Sequence, residues 1–398
     1  MTKRFISLVL ALAFVFPVAA QASSTIEPTS VETCKLPNGN REFASFGFPR
    51  LPNRLPSSGV INAAIIFVDF PDAVGTDSKS LKQVANNYIN KFVQFYRAQS
   101  YGKVEFKFDF NPKYYRISKK TTSYQMNLRK GQDGRGTFDY FRDAISAADS
   151  EYDFSNYQVV YVIPSNTNRE ITYGPAIPDS TAMSEDGPVP MGAVAGTDSR
   201  RRENSLEWSW LAHETGHLFG IEHPWRITSD AQGRTSQRSE AAVWDLMVNI
   251  GDGSTGDFLA WSRFLLGWIV DDQVVCFDAT QKKQATTEFV ITPAALNDPR
   301  KKLALIKTGE NTAIAVEVRV NSGLNKFPKS WEGPIVYLVD TTKVSNEGAT
   351  RLLSRDSRRS RDLLIGNLRR GQSVKHGDVS LVFKGKRGSE YVFSLRTN

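Results

Sequence analysis

Eleven consecutive residues limit what this chain can become more than any others: His213-Glu214-Thr215-Gly216-His217-Leu218-Phe219-Gly220-Ile221-Glu222-His223. In an α-helix, side chains four residues apart share one face about one turn apart, so His213 and His217 can aim both imidazoles at one point. Glu214 then projects beside that point. Gly220 can take the positive φ that ends a helix without steric cost, and the turn it permits brings His223 back as a third donor. The spacing describes a tripod of imidazoles, a donor set suited to zinc, with an acid next to it. Only four histidines exist in the chain and three are here, which favours this reading over a buried amphipathic helix with satisfied histidines.

The sequence upstream predicts the helix that the tripod needs. Asn204 with Glu207 three residues later resembles a capping box, and Leu206, Trp210, Leu211, Leu218 and Phe219 supply an apolar face. The helix is expected from about Ser205 to Gly220.

At 398 residues the chain exceeds one average domain. Its 40% hydrophobic and 23% charged residues are those of a soluble globular protein. Lys3 and Arg4 precede an apolar run at 5–16, and Ala20-Gln21-Ala22 offers small residues for cleavage, so residues 1–22 read as a secretory signal. No later apolar stretch reaches spanning length; 265–270 is cut off by Asp271 and Asp272. The mature protein is therefore expected to be secreted, extracellular or periplasmic, without a transmembrane segment. The two cysteines, Cys34 and Cys276, most simply form one disulfide in an oxidising compartment. The alternative is that Cys34, followed by Leu36-Pro37, is a thiolate that caps the zinc. A net charge of +8 biases the chain toward anionic surfaces, with no nucleic-acid motif beside it.

In chain order, 23–58 reads as an extended N-terminal segment, rich in Pro, Ser and Asn. Residues 61–70 have the near-continuous apolarity of a buried strand. Asp69 and Asp72 at its end either satisfy turn backbone or offer a calcium site. Leu81, Val84, Tyr88, Phe92, Phe95 and Tyr96 recur at helical spacing over 80–99; Val104, Phe106, Phe108 and Phe110 alternate as in a half-exposed strand; a second helix covers 138–148 and a buried strand 158–163. The proline-rich 165–202 is expected to be a long loop walling a cleft. Met247, the only methionine after the tripod, is either a gap-filling core residue or part of a tight turn beneath the metal. An apolar helix over 258–269 ends at Gly267. Beyond residue 272 short alternating strands at 289–292, 303–306, 314–320, 335–339, 379–383 and 391–395 suggest a β-sandwich. The arginine-dense 351–370, balanced only by Asp356 and Asp362, is a solvated loop or a contact for an anionic surface.

The tripod fits H-E-x-x-H-x-x-G-x-x-H, the zinc signature of metzincin peptidases. Around it, IIFVDFPD at 65–72, YRAQSYGKVEF at 96–106, VWDLMVNIG at 243–251, WSRFLLGWI at 261–269, AVEVRV at 315–320 and GPIVYLVD at 333–340 resemble the immune inhibitor A-like family of secreted metzincins. The resemblance implies an α/β (α+β) catalytic domain at 59–272, with a mixed twisted sheet and an active-site helix. A β-rich C-terminal domain at 273–398 follows. It also implies Met247 as the Met-turn methionine. Two departures stand out: His223 replaces the aspartate common in that family, and Asn249 stands where some metzincins place a metal-contacting tyrosine.

The expected function is zinc-dependent peptide-bond hydrolysis, with His213, His217 and His223 holding the metal and Glu214 as general base. Protein or peptide substrates follow, as does zinc as cofactor. The rival is a secreted adhesion or binding protein on the same scaffold that does not cleave.

Overall fold

The apolar run at 61–70 becomes the central strand of a sheet. In the computed structural model, which describes residues 24–39, 46–76, 80–200, 207–226, 228–229, 235–236, 242–248, 256–281, 284–353, 358–360 and 363–398, this strand is β1, Gly59–Asp69. Residues 1–22, read above as a secretory signal, and Asn204, Ser205, Leu206, Asn249, Asp356 and Asp362 lie outside the described residues. After β1 come α1 (Leu81–Gln99), β2 (Val104–Arg116), α2 (Thr137–Ala148), β3 (Val159–Pro164), β4 (Ala176–Ile177), β5 (Gly192–Val194), α3 (Glu207–Leu218) and α4 (Ala260–Leu265). The sheet order is β2-β1-β3-β5-β4, all parallel except the edge strand β4, which runs antiparallel to β5.

Period-two geometry explains why β1 is apolar on both faces from Ala63 to Val68: Ile61, Ala63, Ile65 and Phe67 face α1 and α3, while Ala64, Ile66, Val68 and, just past its end, Phe70 face α2. Ser80 caps α1, its hydroxyl accepting from the Gln83 N–H at 3.3 Å. The strand expected over 104–110 continues to Arg116. The stretch expected to be one long loop holds β4, β5 and a hairpin, Ala182–Ser184 with Gly187–Val189. Its strands are two or three residues long and lie between prolines, too short to show a period.

The chain beyond residue 272 forms β6 (Val274–Asp278), β7 (Ala285–Ile291), β8 (Leu303–Lys307), β9 (Thr312–Arg319), β10 (Gly333–Asp340), β11 (Thr350–Leu352), β12 (Ser373–His376), β13 (Val379–Arg387) and β14 (Glu390–Thr397). They make two five-stranded sheets, β6-β8-β9-β10-β11 and a second in the order Ser24–Thr25, β7, β14, β13, β12. Ile314, Val316 and Val336 of the first share an apolar core with Phe289, Leu381 and Phe393 of the second. The first sheet's other face, with Ala313, Ala315 and Tyr337, packs against Trp261 and Phe264 of α4. It is thus a middle layer, which is why β9 is buried along almost its whole length.

The described residues of the segment at 23–58 are largely extended apart from a 3-10 turn at Val31–Cys34, and the part up to Cys34 is stitched to this second half. Ser24–Thr25 pairs with β7, and Cys34 is disulfide-bonded to Cys276 of β6, with Cα atoms 5.9 Å apart. Cys34 therefore has no thiolate to offer a metal, and the zinc-capping alternative falls.

Candidate active site

Helix α3 is held on three sides before it presents any chemistry. The Tyr96 hydroxyl donates to the Ala212 carbonyl at 2.7 Å, the Trp210 indole N–H to Gly174 O at 3.0 Å, and Tyr161 of β3 shares a 2.6 Å hydrogen bond with Thr215. The helix ends as its sequence requires. Gly220 has φ +84, its N–H donates to His217 O at 2.8 Å, and the Ile221 N–H reaches Gly216 O at 3.0 Å. These two bonds form a Schellman stop, which reverses the chain and returns His223 toward the helix.

The three imidazoles converge. One ligand-capable atom from each of His213, His217 and His223 lies within 4.8 Å of the others, and the Nε2 atoms of His213 and His223 are 3.2 Å apart. Tetrahedral zinc with Zn–N near 2.1 Å spaces its nitrogens by about 3.4 Å, a spacing that the His213–His223 pair meets. The far side of two rings is also fixed: His213 Nδ1 bonds Leu246 O and His217 Nδ1 bonds Ile221 O, each at 2.9 Å. A carbonyl can only accept, so both rings carry a proton on Nδ1, which leaves Nε2 as the nitrogen available to a metal once any proton on it is displaced.

Glu214 is buried beside the cluster, and its Oε2 accepts the N–H of Ala176 at 2.8 Å. Burial is the main cause that raises its pKa, to about 8, against the opposing pull of His217 and that N–H. Burial likewise lowers His213 well below the usual imidazole range and His223 to about 4. On His217 burial is outweighed by the Glu222 carboxylate, helped by Glu214 and the Ile221 carbonyl, and the pKa rises to about 9. The cluster thus favours one positive charge among three rings, a charge that a metal cation would replace.

Met247 lies fully buried under the helix. A Cβ built on Gly216 would come within 2.6 Å of its sulfur, so only glycine there lets the methionine approach between His213 and His217. The preceding turn is closed by Asp245, whose Oδ1 accepts the Met247 N–H at 3.0 Å. The structure brings together His213, Glu214, His217, His223 and Met247. Cys34, on the N-terminal segment, and Cys276 of β6 lie in a separate core shared with the second half.

Residues 68–253 match Reprolysin_5, Metallo-peptidase family M12. The match supports a metzincin-type peptidase. Peptidases of family M12 use zinc, and the histidine triad is the matching donor set. No curated protein matches the chain. Among the described residues no helix is long and apolar enough to cross a membrane.

Three contributors escaped the reading of the sequence. The Ala176 N–H is a backbone group and has no side-chain signature. Glu222 occupies a position that the motif leaves open, and its Oε2 lies 3.3 Å from His217 Nδ1. Ser345, on a loop 123 residues away, donates to that same oxygen at 3.2 Å.

Proposed function

We propose that the chain is a secreted zinc endopeptidase resembling the immune inhibitor A-like metzincins, with a catalytic domain at 59–272 and a β-sandwich at 273–398. The observation that carries the reading is the meeting of three inward-turned imidazoles with a buried glutamate fixed by a sheet-edge amide. When bound, zinc supplies a Lewis acid that acidifies a water and polarises the scissile carbonyl. His213, His217 and His223 would hold it.

Glu214, with Oε2 held by Ala176, offers Oε1 as the atom that takes the attacking water's proton and passes it to the departing amine. Met247 is assigned as the Met-turn methionine, supporting the helix from below. Strand β4 is at the sheet edge, where an extended peptide can add as a further strand beside Glu214. The Cys34–Cys276 disulfide supports export to an oxidising compartment. An intact, positioned Glu214 disfavours the non-cleaving adhesion protein, since a merely structural zinc site needs no base.

The test is casein digestion by purified full-length protein with and without phenanthroline, beside zinc per chain. Glu214→Gln is expected to retain zinc and lose at least about 10²-fold in cleavage rate. A Glu214→Gln variant that digests at the wild-type rate overturns the assignment.

A further inference from the structure

The third histidine comes from non-helical chain, where a ligand has more conformational freedom to lose on binding than one on a packed helix. What fixes this segment comes from the other half of the molecule. The loop between β10 and β11 lies along residues 222–226. The Asn346 N–H donates to the His223 carbonyl at 3.0 Å, and the Thr350 N–H to Pro224 O at 2.8 Å. Glu347 forms an antiparallel bridge with Arg226. Gly348, at φ +86, passes so close that a Cβ there would lie 3.2 Å from Cβ of Arg226.

One contact from this loop reaches a ligand's own partner. Ser345 Oγ donates to Glu222 Oε2, and the same oxygen stands 3.3 Å from His217 Nδ1, which also bonds Ile221 O at 2.9 Å. A carboxylate behind a metal-binding imidazole fixes the ring's orientation and raises the basicity of the nitrogen facing the metal. His213 has only the neutral Leu246 carbonyl in that place.

We propose that Glu222, held by Ser345 of the β10–β11 loop, is a positioning residue that orients His217 for the metal, so that the C-terminal half completes the metal centre. This rests on the zinc reading above. The loop at 344–350 and the Gly220–Arg226 turn then form one unit: the turn supplies a ligand, and the loop fixes it.

The experiment compares zinc affinity, by chelator competition, for full-length wild type, Glu222→Gln and Ser345→Ala, together with the visible spectrum of each protein loaded with Co(II). Glu222→Gln keeps the side chain's length and an oxygen that can accept from Ser345, and removes the charge. It is expected to weaken zinc binding about 10–100-fold, and Ser345→Ala by a smaller factor in the same direction. Both are expected to shift the Co(II) bands, which report ligand geometry and do not respond to stability alone. Unchanged affinity and spectra in both variants overturn the proposal. A change in Glu222→Gln with none in Ser345→Ala overturns the role of the C-terminal loop. If Glu222→Gln does not fold, Ser345→Ala, which removes one hydroxyl, still decides. Wild type that binds no zinc overturns the peptidase reading instead, so the two failures are distinguishable.

Discussion

The two halves of the molecule bury sheets in opposite ways, and the contrast explains where the chemistry sits. In the first half, parallel strands lie between helices, so β1 and β3 are apolar on both faces and have no side chain to spare for a site. The candidate site lies instead at the edge and the strand ends, where β4 offers an amide to Glu214. The second half stacks two mostly antiparallel sheets and turns one against α4. There the middle sheet itself carries polar groups inward. Glu317 of β9 accepts from the Ala260 N–H and the Tyr337 hydroxyl, and it is ion-paired with Arg319. Asp257 bonds Gln99 of α1 and Asn325. A buried network of this kind adds little net stability but is costly to break, because the remaining charge is left uncompensated. The second half is thus built as a support for the first.

The largest expected effect tests whether that support depends on its covalent tie. Replacing Cys34 and Cys276 together by alanine removes a link across 242 residues. A loss of about 2–5 kcal/mol is expected, read as a lower midpoint in denaturant, with earlier proteolytic release of the N-terminal segment. A loss under about 1 kcal/mol would mean that the Ser24–Thr25 pairing and the packing of the segment hold it without the disulfide.

A second test acts where the first half carries its site. Gly216→Ala gains about 1 kcal/mol of helix propensity but places a Cβ 2.6 Å from the Met247 sulfur, and overpacking costs about 1–3 kcal/mol. The clash wins, and the variant is expected to be less stable. With Met247→Ala already present the cost is expected to shrink, the nearest remaining atom being Cε1 of Phe258 at 3.3 Å, and a double-mutant cycle measures that coupling. Equal effects in both backgrounds would show that the methionine does not constrain the helix.

The same contrast decides what could be read in the sequence. Long elements with an uninterrupted period, such as α1 and β1, match their expected extents within a residue or two. Strand β6 was missed because Asp271 and Asp272 read as the end of an element, although they form a short 3-10 turn directly before it. Of the helix expected over 258–269, only Ala260–Leu265 is helical. The tripod was legible because its spacing is local. The carboxylate behind its second member, His217, was not, because Ser345 and Glu222 meet only once both halves have folded.

A third prediction uses pH at the junction of the halves. Asp245 is fully buried, and burial outweighs the Met247 N–H and Arg319 to raise its pKa to about 7. In the unfolded chain the value is about 3.9. An acid whose folded pKa is raised stabilises the fold fully below the unfolded value, and the contribution is lost as pH rises through 7. Asp245→Asn keeps an acceptor for the Met247 N–H without the charge. It is expected to be more stable than wild type by about 1–3 kcal/mol at pH 8, with the gain shrinking toward pH 5. A stability difference that stays constant across that range would contradict it.

The smallest effect belongs to the far end of β1. There Asp69 accepts from Arg116 at 2.6 and 2.8 Å and from the Gly75 N–H at 3.1 Å, while Asp72 accepts from the Thr121 N–H and hydroxyl at 2.9 and 2.7 Å. Both carboxylates are taken up by protein donors, as strand-end aspartates commonly are. Burial opposes the charge on Asp69, but Arg116 and Gly75 overcome it and hold its pKa below the usual range. For a depressed acid the stabilisation is present above the unfolded pKa and disappears as pH falls through the folded one. Arg116 is half-exposed, so solvent screening limits the pair, and Arg116→Gln is expected to cost under about 1 kcal/mol at pH 7 and less at pH 3. Millimolar calcium is expected to leave the melting temperature of wild type unchanged, because ligation would have to displace Arg116 and Thr121. A rise on adding calcium that Asp69→Asn abolishes would instead give this strand end a metal of its own, and the first half would then carry two sites.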